Sequence, residues 1–197
     1  MIMTFNFDNS KKQALAKKDK SNKKSLDEKI KKLCEKLNKN KNYFTTSSCS
    51  GRIVLIIDEE KKKPNLFLFR SHNKITFNKL KNIIHHIINN KKLRNELKNK
   101  IIYFKQEPCL LVVSCRDRES QSDLFNKAKN NGWKKSGILS LNKKLLIELM
   151  STESISFPII NRGKLIAGDF LLKTVIRKAN LNLERGWNKI RRLEKLI

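Results

Sequence analysis

Ile101-Ile-Tyr-Phe-Lys-Gln-Glu-Pro-Cys-Leu-Leu-Val-Val-Ser-Cys115 contains two β-rich runs, residues 101–105 and 110–115, split by Pro108. Proline has no N–H to give to a ladder, so it marks the break between the runs rather than the middle of one strand. So short a break leaves no room for a helix between the two strands. Paired strands are expected on either side. Residues 52–57 and 66–69 face each other across the turn 61–65, and residues 138–141 and 144–150 form a hairpin around Asn142-Lys143. An edge strand is expected at 164–167, beyond Pro158. Strands that arrive in pairs predict an α+β fold with a mixed or antiparallel sheet flanked by helices, not a Rossmann-type doubly wound one.

The flanking helices announce themselves by period. Ser25-Leu-Asp-Glu28 has the form of a capping box, and Leu26, Ile30, Leu33 and Leu37 follow at helical spacing with lysines on the other face. Thr76 is placed to cap a helix whose apolar side is Leu80, Ile83, Ile84, Ile87 and Ile88. Leu124, Phe125 and Ala128 mark a helix ending at Gly132, a residue suited to a left-handed C-cap. The chain closes on a long helix with Leu172, Val175, Ile176, Ala179, Leu183, Trp187 and Ile190 on one face, and Gly186 predicts a local weakening inside it. Three prolines and six glycines in 197 residues leave no linker, so residues 1–197 read as a single domain.

Charge narrows the partners. Lys and Arg number 45 against 18 Asp and Glu, a formal net charge of +27, while 39% hydrophobic residues still permit a sizeable core. Such a field attracts nucleic acid or an anionic membrane. No run approaches the roughly 20 apolar residues of a membrane span, and Met1-Ile-Met-Thr-Phe lacks the order of a signal peptide. Nucleic acid leads, although a chain crowded with Lys, Asn and Ile also carries the mark of an AT-rich genome. The four cysteines, Cys34, Cys49, Cys109 and Cys115, form no C-x-x-C pair, which speaks against zinc and against thioredoxin-type redox chemistry. Reduced thiols in a cytoplasm are the expectation, with no metal.

The segment Phe44-Thr-Thr-Ser-Ser-Cys-Ser-Gly-Arg52 is chemically the richest, with five hydroxyls, a thiol, a glycine and an arginine ahead of a buried strand. It reads as an ordered loop presenting hydroxyls and backbone N–H groups, with Gly51 for close approach and Arg52 as a cation for carboxylate or phosphate. An ordinary polar turn with a structural arginine is the bland alternative.

That segment, extended to Ile53, resembles the signature of the tRNA wybutosine-synthesizing protein 3 family. Asp19-x-Ser21-x-Lys23 followed by Ser25-x-Asp27 is similar to the family's upstream element. Ser71-His72, Phe104-x-x-Glu107-Pro108, Cys115-Arg116, Gly132-x-x-x-Ser136-Gly137-Ile138, Ala179-Asn180 and Ile190-x-Arg192 follow in the family's order. The likeness runs from about Phe7 to the C-terminus. Lys24 stands where the family has glycine, Phe67 where it usually has tryptophan, and Val112 where it has a histidine, which the chemistry here therefore does not need.

The resemblance implies an S-adenosylmethionine-dependent methyltransferase acting on a ring nitrogen, N4, of the tricyclic 7-aminocarboxypropyl-demethylwyosine base at position 37, beside the anticodon of phenylalanine tRNA. Positioning supplies most of the acceleration of such an in-line displacement, and a base near neutrality helps the acceptor nitrogen lose its proton. His72 is the expected base and Asp19 its orienter or substitute, with Ser21 and Lys23 against the substrate; strand-end and helix-capping roles are the structural alternatives. No G-x-G-x-x-G turn is present, so the cofactor is expected in a site built from Ser47, Ser48, Cys49, Gly51, Arg52, Arg116, Ser136 and Gly137. His85 and His86 match no motif and read as structural. Lysines of the first helix and of residues 91–105 are candidates for phosphate, and Phe67, Phe69 or Trp133 for a stacking surface. A non-catalytic basic RNA-binding protein is the alternative. A nuclease would need clustered carboxylates, for which Asp19, Asp27 and Asp58 are the candidates.

Overall fold

The computed structural model describes residues 6–16, 27–60, 63–142 and 144–197, the side chain of Arg94 excepted. Six helices and nine strands are present among them: α1 (Phe7–Ala16), α2 (Glu28–Lys39), β1 (Tyr43–Cys49), β2 (Arg52–Ile57), β3 (Phe67–Ser71), α3 (Phe77–Asn89), α4 (Lys91–Glu96), β4 (Ile101–Glu107), β5 (Leu110–Cys115), α5 (Arg118–Asn130), β6 (Gly137–Ser140), β7 (Leu145–Met150), β8 (Ile155–Asn161), β9 (Lys164–Leu165) and α6 (Asp169–Leu196). The fold is α+β, and every strand pairing is antiparallel. The strands make two sheets rather than one, ordered β1-β5-β7-β6 and β3-β2-β4-β8-β9. Two compact units follow from this: Met1–Ser50, Pro108–Thr152 and Arg185–Ile197 in the first, Gly51–Glu107 and Glu153–Glu184 in the second.

The first unit is built around the four-stranded sheet. Ile30, Leu33, Cys34 and Leu37 of α2 and Leu124 and Ala128 of α5 are buried with Leu111, Val113, Ile147 and Leu149 of the sheet, and Trp133 closes the same core. The helix α2 starts two residues later than a Ser25 cap would place it, and Ser25 itself lies outside the described residues. Asp27 is the N-cap, its side chain accepting from Lys29 N–H, because a carboxylate at that position meets the helix's unpaired N–H groups directly. Asp117 caps α5 in the same way, accepting from Ser120 N–H. At the other end of α5, Gly132 sits at φ +92°, the conformation its place after the helix requires.

In the second unit, Leu80, Ile84 and Ile87 of α3 and Leu172, Ile176, Ala179 and Leu183 of α6 supply buried apolar positions at helical spacing. Thr76 caps α3, accepting from Lys79 N–H at 3.2 Å. The buried amide of Asn182 donates to Gln106 Oε1 at 2.8 Å, which fixes α6 against the Phe104–Gln106 side of β4. Strand β8, which the sequence reading did not anticipate, runs straight through Pro158. The register of β4 with β8 slips between Ile102 and Tyr103, opposite Pro158, so the missing N–H falls at an irregularity of the ladder.

Helix α6 continues through Gly186 without interruption. In the first unit this glycine lies against Cys109 and the Ser50 carbonyl, and a Cβ there would meet Cys109 Sγ at 3.7 Å and Ser50 O at 3.9 Å, ordinary contact distances. Gly186→Ala therefore gains helix propensity without a clash. It should raise unfolding stability by about 0.5–1 kcal/mol, measured as a shift of the urea midpoint at constant slope. A loss of stability would mean that the close approach leaves no room after all.

Candidate active-site residues

The hydroxyl-rich segment is a strand, not a loop, as far as Cys49. Tyr43, Phe44 and the β-branched Thr45 and Thr46 favour extended backbone, and β1 takes the edge of the first sheet beside β5. A bulge between Thr45 and Ser47 inserts Thr46, whose hydroxyl donates to Val112 O at 3.3 Å. The extra residue decides which serine faces where. Ser47 falls opposite Val112, which is opposite Glu148, which is opposite Gly137. Cys49 falls opposite Leu110 and Met150. Directly opposed residues share a face, so Ser47, Cys49, Glu148 and Gly137 stand together on one side of the sheet. Ser48 turns to the other side, toward α2, where its side chain hydrogen-bonds Cys34.

Within the first unit, that face is covered at its Phe44 end, where the Phe7 ring of α1 lies 5.2 Å from the Phe44 ring. Toward the Cys49 end it opens: Ser47 is exposed, and Val112, Glu148 and Met150 are half-buried. A Cβ built on Gly137 meets nothing within 4 Å. Ser136, just before it, is a brace: its hydroxyl donates to Trp133 O at 2.6 Å and accepts from Met150 N–H at 3.1 Å. Arg116 follows the far end of β5. There its guanidinium grips Asp8 of α1 through two nitrogens, donates to Lys41 O and lies 4.5 Å over the Phe7 ring. Those contacts tie α1 to the sheet and hold the Asp8 carboxyl below the ordinary carboxylate range.

Three consecutive residues after β1 are each tethered. Ser50, fully buried, gives both its N–H and its hydroxyl to Asp27 Oδ2, while Asp27 Oδ1 accepts from Lys29 N–H. Gly51 turns the chain at φ +93°, a conformation that favours glycine, and its carbonyl receives His72 Nδ1 at 3.2 Å. Arg52 Nε is paired with Glu107 Oε2, across the β2–β4 ladder, in a site where both side chains are about one quarter to one third exposed (26% and 32%). A carbonyl oxygen only accepts, so Nδ1 of His72 carries a proton. The Arg52 guanidinium also lies 5.0 Å from the Phe67 ring.

Asp19, Ser21 and Lys23 lie outside the described residues. Of the expected stacking residues, Trp133 is fully buried in the first core and cannot meet a base. Phe69 sits opposite Leu55, which is fully buried. Phe67 lies with the two arginines. His85 and His86 are exposed on α3. Asp27, Glu107 and Glu148 carry geometry that motif matching passed over. The first two belong to quoted motifs, and alternation opposite Ser47 is the signal that would have found Glu148. Among the described residues no group of three or more His, Cys, Asp or Glu is placed to hold a metal ion, and no helix is long and apolar enough to cross a membrane.

Comparison with known proteins identifies the family. The family described as methyltransferase TYW3 matches residues 9–197. The tRNA(Phe) 7-((3-amino-3-carboxypropyl)-4-demethylwyosine(37)-N(4))-methyltransferase of Thermococcus sibiricus is 35% identical over 96% of this chain and 93% of its own. A tRNA wybutosine-synthesizing protein 3 homolog from Xenopus laevis is 29% identical, covering 97% of this chain and 74% of its own. The solved structure of the PH1069 protein from Pyrococcus horikoshii superposes with a TM-score of 0.83 at 31% identity, over 99% of this chain and 96% of that one.

The thiols provide a direct check on which side of β1 faces outward. Burial pushes Cys34 up to about 11, against the Ser48 hydrogen bond, and Cys115 up to about 12. Cys34, Cys109 and Cys115 are buried, while Cys49 is half-buried. Since the thiolate is the nucleophile, iodoacetamide at neutral pH should label Cys49 alone in the native protein and the other three only after unfolding. Peptide mass spectrometry reads this out, and early labelling of Cys34 would contradict the register of the bulge.

Proposed function

The chain belongs to the TYW3 methyltransferase family, and on that premise we propose that it moves a methyl group from S-adenosylmethionine to N4 of 7-(3-amino-3-carboxypropyl)-4-demethylwyosine at position 37 of phenylalanine tRNA. It is an enzyme of tRNA modification. The observation that carries the finer reading is the tethered segment Ser50-Gly51-Arg52, whose side chains and carbonyl are each held by a residue from one of the family's motifs.

S-adenosylmethionine supplies a methyl on a positively charged sulfonium, the electrophile for an acceptor nitrogen. Its ribose and methionine ends call for hydroxyls, a carboxylate partner and little steric bulk. The donor set of the first unit fits that chemistry. Ser47 and Cys49 offer a hydroxyl and a thiol, Glu148 a carboxylate for an ammonium, and Gly137 leaves open space beside them. Ser48 and Ser136 contribute by holding these positions, through Cys34 and through Trp133 and Met150. In the second unit, Arg52 carries a guanidinium of five N–H donors, of which Nε is engaged by Glu107. Arg116, gripped by Asp8, is better suited to fastening α1 than to a ligand.

His72 is the base of this reading. Donation from Nδ1 to the Gly51 carbonyl sets the tautomer, so that Nε2 takes the proton from the acceptor nitrogen as the new bond forms. Asp19, Ser21 and Lys23 are retained as residues that meet the target base. A non-catalytic RNA-binding protein has no use for a set tautomer beside a held arginine.

Incubation with labelled S-adenosylmethionine and tRNA carrying the demethylated precursor, followed by nucleoside mass spectrometry, tests the activity. Methylated nucleoside is expected, and its absence under conditions where both ligands bind would return the non-catalytic reading. His72→Ala should slow single-turnover transfer by about 10²–10⁴ while leaving cofactor affinity unchanged. Arg52→Ala should weaken cofactor binding by about 1.5–3 kcal/mol, the scale of a charged hydrogen bond, as measured by calorimetry. A normal affinity in that variant would move the arginine to a purely structural pairing with Glu107.

A further inference from the structure

The side of the second unit's sheet that faces away from its helices carries an ordered set of cations and rings. The register spells it out in two rows. Arg70 is opposite Val54, Val54 opposite Lys105, and Lys105 opposite Ser156. The next row runs Phe67, Ile56, Tyr103 and Pro158. Arg52 and Glu107 stand beyond the first row. The alternate residues, Leu55, Phe104 and Gln106 among them, are buried, and Gln106 meets Asn182 of α6. The unit's helix α6 therefore lies on the other side.

The cations are layered on the rings. Arg70 Cζ lies 4.4 Å from the Phe67 ring centroid, Arg52 Cζ 5.0 Å from the same ring, and Lys105 Nζ 5.4 Å from Tyr103. A guanidinium laid on a ring offers its second face for stacking, and bases stack on guanidinium planes as readily as on aromatic ones. Three cations face one carboxylate, Glu107, which is already bound to Arg52. Arg70, Ser156 and Pro158 are exposed, Phe67, Ile56, Tyr103 and Lys105 half-buried, and the short Val54 between Arg70 and Lys105 fully buried. Rows of this kind are about 7 Å apart along the strands and about 10 Å across two of them, dimensions that suit splayed nucleotides.

We propose that this face is the platform on which a single-stranded stretch of the RNA substrate lies, its bases stacked at Phe67–Arg70 and at Tyr103, its phosphates met by Arg70 and Lys105. The inference rests on the tRNA reading above and assigns it a surface. Stacking and phosphate neutralisation favour RNA over an acidic peptide, which would use the cations and leave the rings idle.

The test uses the full chain, an unmodified anticodon stem-loop RNA, and fluorescence anisotropy across a salt series. Tyr103→Ala should weaken binding about 5- to 100-fold at fixed salt, the effect of losing one stacking partner. Arg70→Ala with Lys105→Ala should lower the log–log salt slope by about 1 to 2. Arg177→Ala with Lys178→Ala, two exposed residues of α6, removes the same charge elsewhere and should stay within about threefold of wild type. Cofactor affinity, by calorimetry, should be unchanged in all of them; Phe67 is left alone because it touches Arg52. Equal losses in the two lysine and arginine pairs would overturn the proposal by making the attraction diffuse. So would wild-type binding by Tyr103→Ala, loss of cofactor binding along with RNA binding, or a wild-type protein that ignores the stem-loop. A wild-type protein that binds RNA on this face yet methylates no tRNA would sink the methyltransferase reading and leave the platform standing.

Discussion

One carboxylate, that of Asp27, serves two structures at once. Its Oδ1 accepts from Lys29 N–H at the start of α2, and its Oδ2 takes both the N–H and the hydroxyl of Ser50. Ser50 is fully buried, where an unsatisfied hydroxyl or amide would cost about 1–3 kcal/mol, so the turn after β1 has one good place to sit. From there the constraint passes along the backbone. Gly51 turns with positive φ and presents its carbonyl to His72, and Arg52 enters β2 opposite Glu107. Within the first unit, the helix start and the end of β1 are thus fixed by one side chain. Reaction by in-line displacement gains most from such fixed geometry, because orientation is the larger part of its acceleration.

Each unit then presents polar chemistry on one side of its sheet. In the first, the bulge at Thr46 selects Ser47 and Cys49 for the outer face and sends Ser48 to Cys34. Without that single inserted residue, alternation would carry Thr46 and Ser48 outward instead. In the second, strict alternation along β4 places Tyr103 and Lys105 outward and Phe104 and Gln106 inward. Val112, where the resembled family has histidine, sits in the same row as Ser47, Glu148 and Gly137. The face tolerates an apolar side chain at its centre, consistent with chemistry that depends on its neighbours.

The elements written in strong periods were legible. Ile30, Leu33 and Leu37 mark α2, Leu80, Ile84 and Ile87 mark α3, and β5 falls at Leu110–Cys115 as its unbroken apolar run predicts. What escaped was decided by tertiary context. Thr45–Ser48 looked like loop because hydroxyls were weighed as ligands, yet an edge strand beside β5 accommodates them, its outer face wet and its inner one bonded to Asn38 and Cys34. Strand β8 went unread, with Pro158 in its middle, and only the register slip opposite that proline reveals why a strand passes through. Helix α1 has one buried residue, Phe7, too little for a period. At the site, motif order named Arg52, His72 and Ser136 but not their partners. Glu107 and the Gly51 carbonyl become visible only when β2, β3 and β4 are laid side by side. Arg116 belonged to a motif too, and its role as the clamp on Asp8 depended on a helix that the sequence did not announce.

The account stands on the turn that Asp27 holds, and Asp27→Asn isolates it. Asparagine caps a helix as well as aspartate does, so α2 keeps its start, but a carboxamide cannot accept from both the amide and the hydroxyl of Ser50 while capping Lys29. Hydrogen exchange of a peptide spanning residues 47–53, followed by mass spectrometry, should show faster exchange than wild type with the unfolding midpoint little changed. Single-turnover methyl transfer in the same preparation should fall by at least about tenfold, since misplacing the reacting groups by a fraction of an ångström is enough to do so. Methyl transfer at the wild-type rate from a demonstrably loosened turn would contradict the account.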